Sequence, residues 1–387
     1  MSAPALRVLV APDKFKGTLT AAEAAAAVAE GVRRAVPGAE VRCVPLADGG
    51  EGTVGAAVAA GAGARTARVS GPLGELVTAT WALTRDPAPV AVVESAAASG
   101  LAHVDPTPAT AAGAGTEGTG ELLRAALDAG ARRIVLGVGG TASTDGGAGL
   151  LRALGVGLRD AAGRPVARGA AGLAAVAEVD LAGLDPRWHD LDVLLAADVA
   201  VPLLGPRGAA AQFAPQKGAG PDEVTRFEAG LAHWARVLHA RTGTDVSTWP
   251  WAGAGGGVCA GVHAVLGARV VSGADHVADL VGLTGHLAWA DLLVVGEGRL
   301  DGQSAAGKAP VAAARRAAGL GVPTLAVVGR LDVGAEELAE LGIAAVGSAL
   351  DAARAAGRPE DALLHPGRWV AAAAATVLEA SLAGVAR

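Results

Sequence analysis

In "GEGRLDGQSAAGKAP", residues 296–310, the stretch from Gly302 to Lys308 spells G-x-x-x-x-G-K, the pattern of a phosphate-binding loop. That design needs Ser or Thr after the lysine as a magnesium ligand, and this chain has Ala309. It also needs a strand running straight into the first glycine, whereas about six residues separate the expected strand end from Gly302. The ordinary loop is therefore disfavoured. What remains is a lysine at a helix start, with Pro310 in the first turn, which suits an anion. Glu297, Asp301 and Ser304 add two acids and a hydroxyl to the same stretch.

Lysine is rare enough here to be informative. Of 32 basic residues only four are lysine: Lys14, Lys16, Lys217 and Lys308. The chain also lacks Asn and Tyr. Where Arg serves as the default cation, the remaining lysines mark places that want a compact point charge, as a phosphate does. All four sit in or beside loops punctuated by Gly or Pro.

Other loops carry matching chemistry. "APDKFKGTLTA" places Lys16 before Gly17 and a capped helix start, favourable for an anion. "DGGEGT" supplies Asp48 and Glu51, a carboxylate pair that can hold magnesium through one or two oxygens, although Asp48 can equally cap the next helix. "GVGGTASTDGGAG" offers Thr141, Ser143, Thr144 and Asp145 among glycines, suited to phosphate or a polyol carboxylate. "AADVAVPLLGPRGAAAQFAPQKGAG" ends a strand at Asp198, a candidate general base for a hydroxyl, and continues to Arg207 and Lys217. "GAGGG" at 253–257 satisfies a dinucleotide pattern only weakly, because no clear strand precedes it.

These loops need strands behind them, and the chain supplies them. "RVLVA" reads as a buried strand, followed by a Thr20–Glu23 capping box that opens a helix to about Ala35. Val41–Leu46, "LVTATWALT", "VAVVES", "RIVLGVGG" and "DVLLAAD" read as further strands. "PDEVTRFEAGLAHWARVLHARTG" is an amphipathic helix with Val224, Phe227, Leu231, Trp234 and Leu238 as core. "ADLLVVGEG", "VPTLAVVG" and "IAAVGS" alternate with helices near the C-terminus. This alternation predicts helices over mostly parallel sheets. The late run can complete a sheet begun by "RVLVA", giving two α/β domains: residues 1–70 with 285–387, and an inserted domain of 71–284. In open sheets of this kind ligands bind outside the strands' carboxyl ends, where the loops can converge.

Composition narrows the function. A net charge of −6 and 3% aromatic residues argue against a nucleic-acid binder. Mean hydropathy is +0.40, but the longest uncharged run, Val246–Ala268, carries Pro250, His263 and six glycines. It reads as a glycine loop entering a buried helix, not a membrane span. Cys43 and Cys259 cannot build a disulfide framework or zinc set, and no signal peptide is apparent, so a cytoplasmic protein is expected. Cys259 is read as a small buried residue. The histidines show no metal-ligand spacing, and no G-x-S-x-G elbow exists. A dehydrogenase of small hydroxyacids and a non-catalytic phosphometabolite sensor are the rival readings. The first lacks a G-x-G-x-x-G turn after a strand; the second does not require the acids that are present.

Taken in order, "APDKFKGTLTA", "PLADGGEGT", "GVGGTASTDGGAGLLRALG", "ADVAVPLLGPRGAAAQFAPQKGA", "GAGGGVCAG" and "GEGRLDGQSAAGKAP" resemble the bacterial glycerate kinase family, the class unrelated to P-loop kinases. The resemblance implies ATP-dependent phosphorylation of D-glycerate, generally at the 2-hydroxyl, with Mg²⁺. It implies a flavodoxin-like, Rossmann-like three-layer domain built from both chain ends, an inserted α/β domain and an active-site cleft between them. On that reading Lys16 and Lys308 meet the ATP phosphates, and Asp198 orients or deprotonates the glycerate hydroxyl with Asp301 as rival. Asp48, Glu51 and Glu297 face magnesium or its water shell. Thr141, Ser143 and Asp145 hold substrate, with Arg207 or Arg299 as a fork on its carboxylate. Lys14, Gly17, Gly139, Gly140, Gly255, Gly256 and Lys217 contact the nucleotide. A homodimer is compatible with the reading; nucleic acid and membrane are not expected partners. The chain departs from the family's usual pattern at Thr144 and Val201, each often Asn, and at Ser304, often Thr.

Overall fold

The computed structural model describes residues 5–302 and 308–385. Its strands are β1 (Arg7–Pro12), β2 (Glu40–Cys43), β3 (Gly63–Ser70), β4 (Leu76–Leu83), β5 (Val90–Glu94), β6 (Arg133–Gly137), β7 (Gly157–Arg159), β8 (Glu178–Asp180), β9 (Asp192–Ala196), β10 (Arg269–Val271), β11 (Leu292–Leu300), β12 (Thr324–Leu331) and β13 (Ala345–Ser348). They fall into two compact units. The first comprises Met1–Asp48, Gly55–Ala60 and Gly273–Arg387; the second comprises Gly49–Val54 and Gly61–Ser272.

The first unit is built on a five-stranded sheet in the order β13-β12-β11-β1-β2, with every pairing parallel. Counted within the unit from the opposite edge, this is 2-1-3-4-5, the flavodoxin-like order. Both faces are covered, which explains the unbroken apolar run of β1. Val8 and Val10 enter the core on one side, Leu9 and Ala11 the core on the other, and all four are 0% exposed. The Thr20–Glu23 box forms as expected and opens the helix Ala21–Ala35. Its buried Ala24, Val28 and Val32 lie four residues apart, with Ala25 beside them, on a face shared with the helix Pro366–Val385. A methyl group at Gly31 would overlap the Ala371 carbonyl, so glycine sets how closely these helices approach.

The second unit holds a six-stranded sheet, β10-β9-β6-β5-β4-β3, and a small β7–β8 ribbon. β5, β6, β9 and β10 pair in parallel, while β3 and β4 add an antiparallel margin. Its core surrounds fully buried Trp188 and Trp234. The helix Pro221–Thr242 buries Phe227, Leu231, Trp234 and Leu238, while Val224 is only partly covered. Val246–Ala268 is a glycine-rich turn leading into the helix Val258–Leu266. Among the described residues no helix is long and apolar enough to cross a membrane.

Three sequence expectations shift. Residues 63–70, placed in the first domain, form β3 of the second unit's sheet. Residues 273–284, placed in the inserted domain, pack Ala274, Val277 and Leu283 into the first unit's core. β11 runs through Glu297 to Leu300, so that Asp301 alone and not about six residues separates the strand end from Gly302, because β12 continues to pair with it there (Glu297 with Val328, Leu300 with Leu331).

Candidate active site

In the first unit β1 and β11 are neighbours whose outgoing chains diverge, so their carboxyl ends flank the switch point of the sheet. The loop after β1 is tied to β11: Asp13 N donates to the Gly296 carbonyl at 2.8 Å. Gly298 permits the closest approach, since a Cβ there would stand 3.0 Å from Lys16 N. Glu297, 5% exposed, stands 3.7 Å from Lys308 Nζ, and Lys308 is the residue on which the helix Ala309–Gly319 begins.

Asp13 belongs to the same group and was not expected from sequence. It is 5% exposed, and its carboxylate accepts the Lys14 amide at 2.6 Å. Burial pushes its carboxyl up to about 7; Asp48 and Glu297 push the same way, and Lys14 pulls back. Asp13, Lys14, Asp48, Glu297 and Lys308 thus share one electrostatic neighbourhood at the strand ends. The only signal in the sequence is an acid directly after the apolar run of β1. Lys16 and Gly17 lie outside this group, on the exposed part of the loop. Arg299 is committed to Asp332 at 2.5 Å and lies 3.6 Å from Asp301, the partly buried acid following β11. Gln303 and Ser304 lie outside the described residues.

The second unit has its own polar set at the carboxyl ends of β5, β6 and β9. Glu94, the last residue of β5, accepts the backbone N–H groups of Gly52 (3.0 Å) and Val54 (2.7 Å). That carboxylate shapes the "DGGEGT" loop and presents exposed Glu51. The loop lies against β6 so closely that a methyl at Gly137 would overlap the Gly49 carbonyl. Glu94, also unanticipated, shows the same signal as Asp13: an acid closing an apolar strand. After β6 only Gly139 and Gly140 are exposed; Thr141 through Leu150 are buried. Past β9, Asp198 is partly exposed and accepts the Ser272 hydroxyl at 3.0 Å. Arg207 is exposed further along that segment.

Burial corrects several expected roles. Asp145 is 0% exposed, and its carboxylate accepts Thr116 N, Thr116 Oγ1, Gly147 N and Gly149 N at 2.8–3.1 Å. It organises the loop and has no surface to offer a substrate. This also explains Thr116, which precedes its helix without capping it because its hydroxyl serves Asp145 and Leu150 N. Thr141 is spent on Val138 O and Ser95 Oγ. Ser143 is 0% exposed and Lys217 only 3%, so neither meets a ligand at the surface, nor does buried Gly256. Gly255 is partly exposed. Cys259 is fully buried, and burial pushes its thiol up to about 12, which leaves no thiolate for chemistry.

Among the described residues no three His, Cys, Asp or Glu side chains converge as a metal cage. Asp48 and Glu297, both acting on Asp13, instead match the magnesium habit of one or two carboxylates completed by water and substrate phosphates.

Comparison with known proteins identifies the family and the fold. The model of the glycerate kinase family matches residues 8–382. A glycerate kinase of Halalkalibacterium halodurans is 41% identical over 337 residues, 87% of this chain and 88% of that protein. The glycerate 2-kinase of Escherichia coli K12 is 42% identical over 337 residues, 85% of this chain and 87% of its own length. A crystal structure assigned to glycerate kinase 2 of Salmonella typhimurium LT2 superposes with a TM-score of 0.82 at 38% identity, covering 98% of this chain and 99% of that one. Matches spanning both units and every glycine loop establish that the chain belongs to the glycerate kinase family.

Proposed function

We propose that this enzyme transfers the γ-phosphoryl group of ATP to the 2-hydroxyl of D-glycerate, giving 2-phospho-D-glycerate and ADP in the cytoplasm. The observation that carries the reading is the group of Asp13, Lys14, Asp48, Glu297 and Lys308 at the flavodoxin-type switch point, where three acids and two lysines meet beside a helix N-terminus. The relative named glycerate 2-kinase supports the choice of hydroxyl.

Phosphoryl transfer needs in-line positioning and charge neutralisation more than covalent help. The glycerate oxygen forms a bond to the γ-phosphorus, the bond from that phosphorus to the β–γ bridging oxygen breaks, and ADP leaves. Lys308 and exposed Lys16 neutralise the phosphates, with Lys14 and the Gly17 backbone beside them. Asp48 and Glu297, with Glu51, would hold magnesium, which when bound screens the phosphate charge. The exposed Gly139–Gly140 backbone receives phosphate oxygens, with Gly140 at φ +72°. Asp198 orients the glycerate hydroxyl and takes its proton; Asp301 is the alternative acceptor. Arg207 is the better fork for the glycerate carboxylate, because Arg299 is already engaged by Asp332.

The test is ADP release by the purified enzyme with ATP, Mg²⁺ and either D- or L-glycerate. Turnover dependent on ATP and the D-isomer is expected. Absence of ADP release with D-glycerate would reject the reading.

A further inference from the structure

Beneath the surface glycines of the second unit lies a charged pair that the reaction does not use directly. Lys217 closes the short turn Pro215–Lys217, and its ammonium donates to the Ser143 carbonyl. Asp145 supplies the opposite charge from within the same loop. Burial lowers Lys217 to about 8, against the pull of Asp145.

A third segment meets this pair. Gly146 N donates to the Gly256 carbonyl at 3.1 Å, and the Trp234 indole N–H donates to Gly146 O at 2.9 Å. A Cβ at Gly256 would overlap the Ser143 carbonyl and stand 3.0 Å from Lys217 Nζ. Gly256 also has φ +70°, which a side chain would strain. Lys217, the 143–147 loop and the 255–257 turn are therefore fastened at one point. On its other side the loop is fixed by β6 and by Ala142 N donating to Ser99 O. Only Gly139 and Gly140 emerge between these anchors.

We propose that Lys217 is a positioning residue: it pins the Ser143 carbonyl from below, so that the exposed Gly139–Gly140 backbone keeps the shape that receives the nucleotide phosphates. The inference rests on the ATP-dependent reading above. A buried ammonium and a close glycine here do for a surface loop what outer hydrogen bonds do for a ligand set: they fix the orientation of groups they never share with the ligand.

The experiment uses Lys217→Met and Gly256→Ala in the full chain, with folding checked by circular dichroism and gel filtration. Kinetics and ATP calorimetry are then compared with wild type. Lys217→Met should raise the KM and Kd for ATP about tenfold while kcat and the KM for glycerate change less than about threefold. Gly256→Ala should show the same split, and the double variant should be no worse than the weaker single, because both break one fastening. A folded Lys217→Met with ATP KM and Kd within about twofold of wild type overturns the proposal, as does a loss confined to kcat. If Lys217→Met does not fold, Gly256→Ala decides by the same ratios. Unaltered variants beside normal wild-type turnover reject the positioning role alone. If wild type shows no turnover the kinase reading fails, and ATP Kd then decides; a wild type that does not bind ATP rejects both.

Discussion

Asp13 and Asp145 are both buried aspartates in loops that follow parallel strands, and burial raises the pKa of each. Their surroundings separate them. Asp145 is held by four donors and faces Lys217, so that, although burial and the like charge of Glu117 raise its pKa, part of the cost of burying its charge is offset within the second unit. Asp13 accepts the Lys14 amide and sits between the opposite charge of Lys14 and the like charges of Asp48 and Glu297, an arrangement that leaves its burial only partly offset. Two buried acids after parallel strands thus divide into a scaffold and a candidate site. The deciding quantity is how many internal donors each one meets.

Removing the scaffold acid should have the largest effect. Asp145→Ala leaves Lys217 uncompensated and four donors without an acceptor, and should lower unfolding free energy by about 3–5 kcal/mol in urea titration. A loss below about 1 kcal/mol would place Asp145 with the site acids instead. Next comes Asp198→Asn, which should reduce kcat about a hundredfold with the fold intact. A rate above about half of wild type would transfer proton acceptance to Asp301. Lys308→Ala should cost more than about tenfold in kcat/KM, ~1.4 kcal/mol, without loss of thermal stability. Near-normal turnover would remove Lys308 from the phosphate site.

The smallest effect belongs to Asp13 and has a definite sign. Its folded pKa lies above the unfolded value, so the native state holds the extra proton between about pH 4 and 7, and stability falls as pH rises through that window. Asp13→Asn removes the titration. It should be the more stable protein at pH 8, with the gap closing towards pH 4. Equal midpoints at both pH values would mean that Asp13 is as well compensated as Asp145.

Much of this fold can be read in the chain, because its signals are local. The apolar run of β1, the Thr20–Glu23 box and the spacing of Phe227, Leu231, Trp234 and Leu238 each report a nearest-neighbour preference. Lys308 and Glu297 also stand out together in one stretch, although their pairing shows only in the structure. What could not be read depends on distant partners. Glu297 looks like a loop residue until β12 pairs with it. Glu94 looks like an ordinary strand end until residues 52–54 turn their N–H groups to it. Asp145 and Lys217, each expected to meet a ligand, are buried because segments far apart in sequence close over them. Burial is a property of the assembled chain, and it decides which of the glycine-loop residues stay available to a ligand.

The reaction itself is tested most directly by phosphorus NMR of the product made from ATP, Mg²⁺ and D-glycerate. The account predicts 2-phosphoglycerate accumulating in step with ADP. Accumulation of 3-phosphoglycerate, or no phosphoglycerate at all, would contradict it.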